Sequence, residues 1–254
     1  MKKLSVVFAL VAALVVTGAL ASGGDIKLDH APGDVRDVAS LQAGARTFVN
    51  YCLNCHSASL MRYSGLRDIG LTDEQIKSNL LFTADKVGEM MNTAMVRKDA
   101  KEWFGTAPPD LSVIARARGA DWLYTYLRSF YRDASTATGW NNTVFPRVAM
   151  PHALWQLQGE QVLKEEIIKE VDGKDVSDGH GSVRKHSKLE IVTPGVLSAT
   201  QFDVVAGDLV NFLVWVGEPH QVLRKQVGFW VLIVLGILIA LTWLLKSAFW
   251  KELH

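Results

Sequence analysis

The chain has two cysteines, and both sit in Cys52-Leu-Asn-Cys55-His56. Two thiols one helical turn apart can add to the two vinyl groups of a single porphyrin, and the imidazole that follows is then held under the iron. The spacing predicts a covalent haem c with His56 as the proximal ligand, and a single motif predicts a single haem. Other uses of the pair fit less well. A disulfide here would close a small, strained loop. A thioredoxin-like redox pair needs a βαβ context that is absent. A zinc site needs at least one further ligand from a distant His.

In electron carriers the iron usually takes Met or His opposite the proximal His, and a thioether there raises the potential. Beyond the leader the methionines are Met61, Met90, Met91, Met95 and Met150. Met90, Met91 and Met95 sit at helical spacing and read as core filling. Met150 lies in Asn142-Thr-Val-Phe-Pro-Arg-Val-Ala-Met-Pro-His152, a proline-bounded loop that can aim one side chain with little loss of entropy. The residues alone leave Met150 and His152 as rivals.

These groups need elements to position them. The run Leu41-Gln-Ala-Gly-Ala-Arg-Thr-Phe-Val-Asn-Tyr51 reads as a helix entering Cys52. Thr72-Asp-Glu-Gln75 has the form of a capping box opening a helix toward Phe82. Asp121 is expected to cap another, with Leu123, Tyr126, Leu127, Phe130 and Tyr131 on one face. Ser198-Ala-Thr-Gln201 is a second capping box, ahead of a helix that buries Phe202, Leu209, Phe212 and Val216. Between them, residues 154–193 alternate in polarity and carry glycine turns, which predicts a β-rich or irregular insertion. Pro219 is expected to end the last soluble helix, with a linker up to Gln226.

The 254 residues carry 27 basic and 26 acidic side chains and are 49% hydrophobic. A near-zero net charge gives no bulk electrostatic reason to bind nucleic acid. The apolar fraction excludes low-complexity disorder. Lys2 and Lys3, an uncharged run to Leu20 and Ala19-Leu20-Ala21 form a signal peptide, expected to be cleaved after Ala21. Its loss leaves 25 basic and 26 acidic residues. Residues 227–245 contain no charge and would span about 28 Å, close to the thickness of a bilayer core. The expected organisation is a leader at 1–21, an exported domain at 22–226, a membrane helix at 227–245 and a cytoplasmic tail at 246–254.

Gly44, Phe48, Leu209 and Trp215 resemble the pattern of the class I cytochrome c fold, in which first and last helices cross. Cys52-Leu-Asn-Cys-His-Ser, Ala107-Pro-Pro-Asp-Leu-Ser112, Ala115-Arg-Ala-Arg118, Phe145-Pro-Arg-Val-Ala-Met-Pro151 and Asp208-Leu-Val-Asn-Phe-Leu213 together resemble the cytochrome c1 family. The resemblance implies a mainly α fold: a class I cytochrome c-like haem domain with an irregular or β-containing insertion and one C-terminal transmembrane helix. It implies Met150 as the distal ligand, Arg118 against a haem propionate, and Pro108 and Pro109 at the border of the haem pocket. It also implies a place in the quinol–cytochrome c reductase of a bacterial inner membrane, with the haem domain on the periplasmic side. There the subunit would take an electron from the Rieske iron–sulfur protein and pass it to a soluble cytochrome c, beside cytochrome b and membrane lipid, in a homodimeric complex. The haem c subunit of a terminal oxidase is the alternative, and a haem sensor or peroxidase with an open sixth site is another. The acidic residues Glu165, Glu166, Glu170, Asp172, Asp175 and Asp178 could steer a basic partner, but interspersed lysines favour an ordinary solvated face.

Overall fold

The computed structural model describes residues 27–167 and 185–251. The leader and most of the acidic cluster lie outside them. Among the described residues the chain is mainly helical, with three small antiparallel sheets of two strands each.

Helix α1 (Val38–Thr47) starts at Asp37, whose carboxylate accepts from the Ser40 N–H. It continues as a π-helical turn, Phe48–Cys52, into the cysteine motif. Strand β1 (Ala58–Arg62) follows, then a 3-10 stretch, Tyr63–Ile69. Helix α2 (Asp73–Asn79) has the expected capping box at Thr72 and Gln75, but it stops short of Phe82. Met90 and Met91 form strand β2 against β1 rather than a helix, although Met91 is fully buried as core filling requires. Helices α3 (Arg97–Phe104), α4 (Ile114–Arg118) and α5 (Ala120–Arg128) lead to the hairpin of β3 (Phe130–Arg132) and β4 (Trp140–Asn142).

Asp121 does not cap α5. The helix begins at Ala120 after Gly119, and the Asp121 carboxylate accepts instead from the Ala31 N–H at 2.9 Å. Phe130 and Tyr131 belong to β3, not to the helix. After the short α6 (Trp155–Gln158), the insertion is an antiparallel pair of β5 (Gly159–Ile167) and β6 (Lys185–Pro194), running from Gly159↔Pro194 to Ile167↔Lys185 with one shift of register between Glu160 and Gln161.

Helix α7 (Ala199–Gly217) carries the second capping box and buries Phe202, Leu209, Phe212 and Trp215. It crosses α1 at Gly44. A Cβ there would lie 2.1 Å from the Asp208 carbonyl oxygen, so only glycine admits this approach. Phe48 and Phe212 meet just beyond, with ring centroids 5.7 Å apart. Ser40 donates to the Asp208 carboxylate at 2.6 Å, and the Asn211 amide donates to Ser40 at 3.0 Å, tying the same crossing.

Helix α8 (Gln221–Trp250) has 30 residues and none of them is buried. The stretch before residue 227 is not a linker but the first turns of this helix. At about 45 Å the helix is long enough to cross a membrane.

Candidate haem site

The turn that carries the cysteines is built by backbone geometry. The Leu53 N–H donates to the Phe48 carbonyl at 3.0 Å, five residues back, which widens the helix by one residue. The Cys55 and His56 N–H groups then both donate to the Cys52 carbonyl, at 3.0 and 2.8 Å, and close the chain tightly. Leu53 is fully buried and anchors the turn, while Cys52 and Cys55 are half-buried free thiols. Burial, with the neighbouring Cys55 as a lesser cause, pushes the Cys52 thiol up to about 12, and burial raises Cys55 as well. Both stay protonated at neutral pH, the opposite of the depressed thiols of a dithiol redox pair.

His56 is buried, and its Nδ1 lies 2.7 Å from the Pro109 carbonyl oxygen. A carbonyl can only accept, so Nδ1 carries the proton and Nε2 keeps its lone pair. Burial holds the imidazole below its ordinary pKa, favouring the neutral ring that a metal needs, although the Pro109 bond pulls the other way. The segment that presents Pro109 is itself pinned. Asp110 accepts from the Ser59 N–H at 2.9 Å and the Ser112 N–H at 2.8 Å, the Ser112 hydroxyl accepts from the Leu60 N–H at 3.0 Å, and the Leu111 N–H donates to the Ser57 carbonyl at 2.8 Å. Burial would raise the Asp110 carboxyl, but the Ser112 and Ser59 hydrogen bonds outweigh it and hold the group below the usual range.

The other half of the site runs along one row of α4 and α5. The Arg118 guanidinium is exposed and lies 5.1 Å from the centroid of Trp122. Trp122 stacks on Tyr126 with centroids 4.9 Å apart and planes 10° from parallel. The Tyr126 hydroxyl donates to Met150 Sδ at 3.3 Å. The row persists across the break between the two helices because Gly119 adopts φ +88°, which a side chain would resist. Tyr126 packs against the main core, as do Cys52 and Trp122, and also against the small cluster of Phe130, Trp140 and Val148 to which Met150 belongs.

Two asparagines hold the Met150 loop. The Asn142 side-chain oxygen accepts from the Val144 and Phe145 N–H groups at 2.9 and 3.1 Å, and that of Asn141 accepts from Arg147 N–H at 2.8 Å. Arg147 sits at φ +58°, a left-handed conformation that this bond helps to hold. His152, the other candidate ligand, is committed elsewhere. Its Nε2 lies 2.7 Å from the Gln158 side-chain oxygen, and its ring stacks on Phe130 with centroids 4.8 Å apart. Burial lowers its pKa to about 4.

Sequence reasoning missed Asp110, Trp122, Tyr126 and the asparagine pair. The four-residue recurrence of Arg118, Trp122, Tyr126 and Phe130 was the signal for the row. Asp110 reaches Ser59 from far along the chain and left no such signal, and the local bonds of the asparagines to Val144, Phe145 and Arg147 leave no periodicity to read.

Two thiols on one turn and an imidazole with Nε2 bare are what a covalent haem c requires of its attachment motif, and Met150 sits in a separately braced loop. A model of the cytochrome C1 family matches residues 30–178 and 197–253. Over 233 residues the chain is 47% identical to the ammonia monooxygenase gamma subunit of Nitrosomonas europaea, covering 92% of each chain. It is 43% identical to cytochrome c1 of Allochromatium vinosum, covering 95% of this chain and 96% of the other. Cytochrome c1 of Rhodospirillum rubrum is 28% identical, over 85% of this chain and 82% of that one. With its cysteine turn, its braced methionine loop and a family match across most of its length, the chain belongs to the cytochrome C1 family.

Proposed function

We propose that this chain is the haem c subunit of a quinol–cytochrome c reductase, taking an electron from the Rieske iron–sulfur protein and delivering it to a soluble cytochrome c. Membership of its family makes it a haem-bearing electron-transfer subunit of the cytochrome bc1 complex. The haem reading within it rests above all on the 2.7 Å bond from His56 Nδ1 to the Pro109 carbonyl, which frees Nε2 on the same turn as both thiols.

When bound, haem c supplies a one-electron iron couple. Cys52 and Cys55 would hold the group on the turn, each through a thioether formed by adding its S–H across one vinyl group. His56 is held in one tautomer and one orientation by Pro109, a constraint that raises its basicity toward the metal. Met150 would supply the second ligand, a thioether sulfur, from a loop held by Asn141 and Asn142. Arg118, exposed at the end of the aromatic row, suits a propionate through its planar fork. With His56 and Met150 both serving as ligands, the iron would have no place for a substrate, which suits a relay rather than a catalyst of small-molecule chemistry. Helix α8 anchors the domain beside cytochrome b, with the haem domain on the periplasmic side of a bacterial inner membrane.

Purification of the native membrane complex tests this reading. A pyridine haemochrome spectrum of haem c, with a b-type cytochrome and a Rieske protein in the same complex, is the expected result. A copper-containing oxidase subunit in their place would establish the terminal-oxidase reading. The name of the Nitrosomonas europaea relative raises a further assembly. Copurification with monooxygenase subunits instead of cytochrome b would overturn the proposal in favour of that one.

A further inference from the structure

We propose that Tyr126 is a positioning residue for Met150: its phenolic O–H holds one lone pair of the methionine sulfur, orients the other toward the iron and thereby raises the potential of the site. This rests on the reading of Met150 as distal ligand. The hydroxyl donates to Sδ at 3.3 Å. A thioether sulfur has two lone pairs, so a hydrogen bond on one leaves the second for a metal. The donor is held on every side. Trp122 stacks on its ring, and Phe130 meets it edge-on with centroids 5.0 Å apart. Its backbone carbonyl accepts from the Asn142 amide at 2.8 Å, and the oxygen of that same amide anchors the Met150 loop at Val144 and Phe145. Donor and acceptor are thus referenced to one buried side chain, Asn142, and cannot drift apart independently.

The electronic consequence has a definite sign. A hydrogen bond draws electron density from the sulfur and makes it a weaker donor to ferric iron, which needs that density more than ferrous iron does. The reduced state is favoured, and the potential rises.

The test is Tyr126→Phe in the intact haem-loaded protein. The substitution keeps the ring between Trp122 and Phe130 and removes only the hydroxyl. Expected are full covalent haem, a retained near-infrared sulfur-to-iron band of altered energy, and a drop of about threefold in the equilibrium constant for reduction, the share of a neutral hydrogen bond that differs between oxidation states. An unmoved potential together with an unmoved band overturns the proposal. Met150→Leu, measured alongside, separates the two failures. A band that survives in Met150→Leu overturns the ligand assignment and this proposal with it. A band lost there, with potential and band unchanged in Tyr126→Phe, overturns this proposal alone.

Discussion

Leucine at position 150 would remove a sulfur and leave its loop standing, because the loop is braced by the Asn141 and Asn142 side chains rather than by the thioether. Met150→Leu is therefore expected to give folded protein with covalent haem, a lowered midpoint potential and no near-infrared sulfur-to-iron band. Met95→Leu should change neither, as redox titration and absorption spectroscopy will show. A normal spectrum in Met150→Leu would move the ligand role elsewhere, and His152 would first have to give up Gln158 and Phe130. At the cysteines, the double variant Cys52→Ala/Cys55→Ala should release its haem to acid-acetone extraction. Haem that resists extraction would end the attachment reading. The cysteines could be read from spacing alone because covalent chemistry demands a fixed pattern. Met150 could not, because a lone methionine in a loop has meaning only through what surrounds it.

Among the elements, the crossing of α1 and α7 and the segment at residues 109–112 carry the most consequence. Gly44→Ala places a methyl group 2.1 Å from a backbone oxygen, and neither helix can yield without disturbing Phe48 and Phe212. The expected cost is about 3 kcal/mol of stability, measured by denaturant unfolding, as for overpacked cores. Loss of less than about 1 kcal/mol would mean that the helices slide more freely than the packing implies. Asp110→Asn weakens the clip that presents the Pro109 carbonyl to His56. Because the Asp110 pKa is depressed on folding, its charge stabilises the fold above the ordinary carboxylate value of about 4, and the contribution is lost as pH falls through the depressed folded value. The gap in stability between parent and variant should thus be full at neutral pH, about 1 kcal/mol for a partly exposed group, and shrink in acid. A gap that widens in acid would contradict the assignment. Both capping boxes were legible because they are local, three-residue exchanges. The end of α5 was not: the apolar period runs on through Phe130 and Tyr131, and pairing with β4 pulls those residues into a strand.

The described residues divide into a packed domain and a helix with no buried residue among them. Helix α8 leaves its apolar side chains exposed along its length, whereas α7 is also long and apolar yet mostly buried. A chain ending at residue 220 should therefore appear in the soluble fraction, while the full chain should resist extraction by alkaline carbonate. Retention of the shortened protein on membranes would point to a second anchor.

The haem-attachment pattern and the candidate membrane span were determined by the sequence itself. Each rests on a short spacing or an uninterrupted apolar run, and neither needs knowledge of a distant partner. Tertiary structure alone decided that Asp110 clips Pro109 to the cysteine turn and that Tyr126 reaches the sulfur of Met150. The reason is physical: a hydrogen bond across tens of residues depends on where two segments meet, and a polar side chain looks the same in sequence whether its partner is water or a buried atom far along the chain.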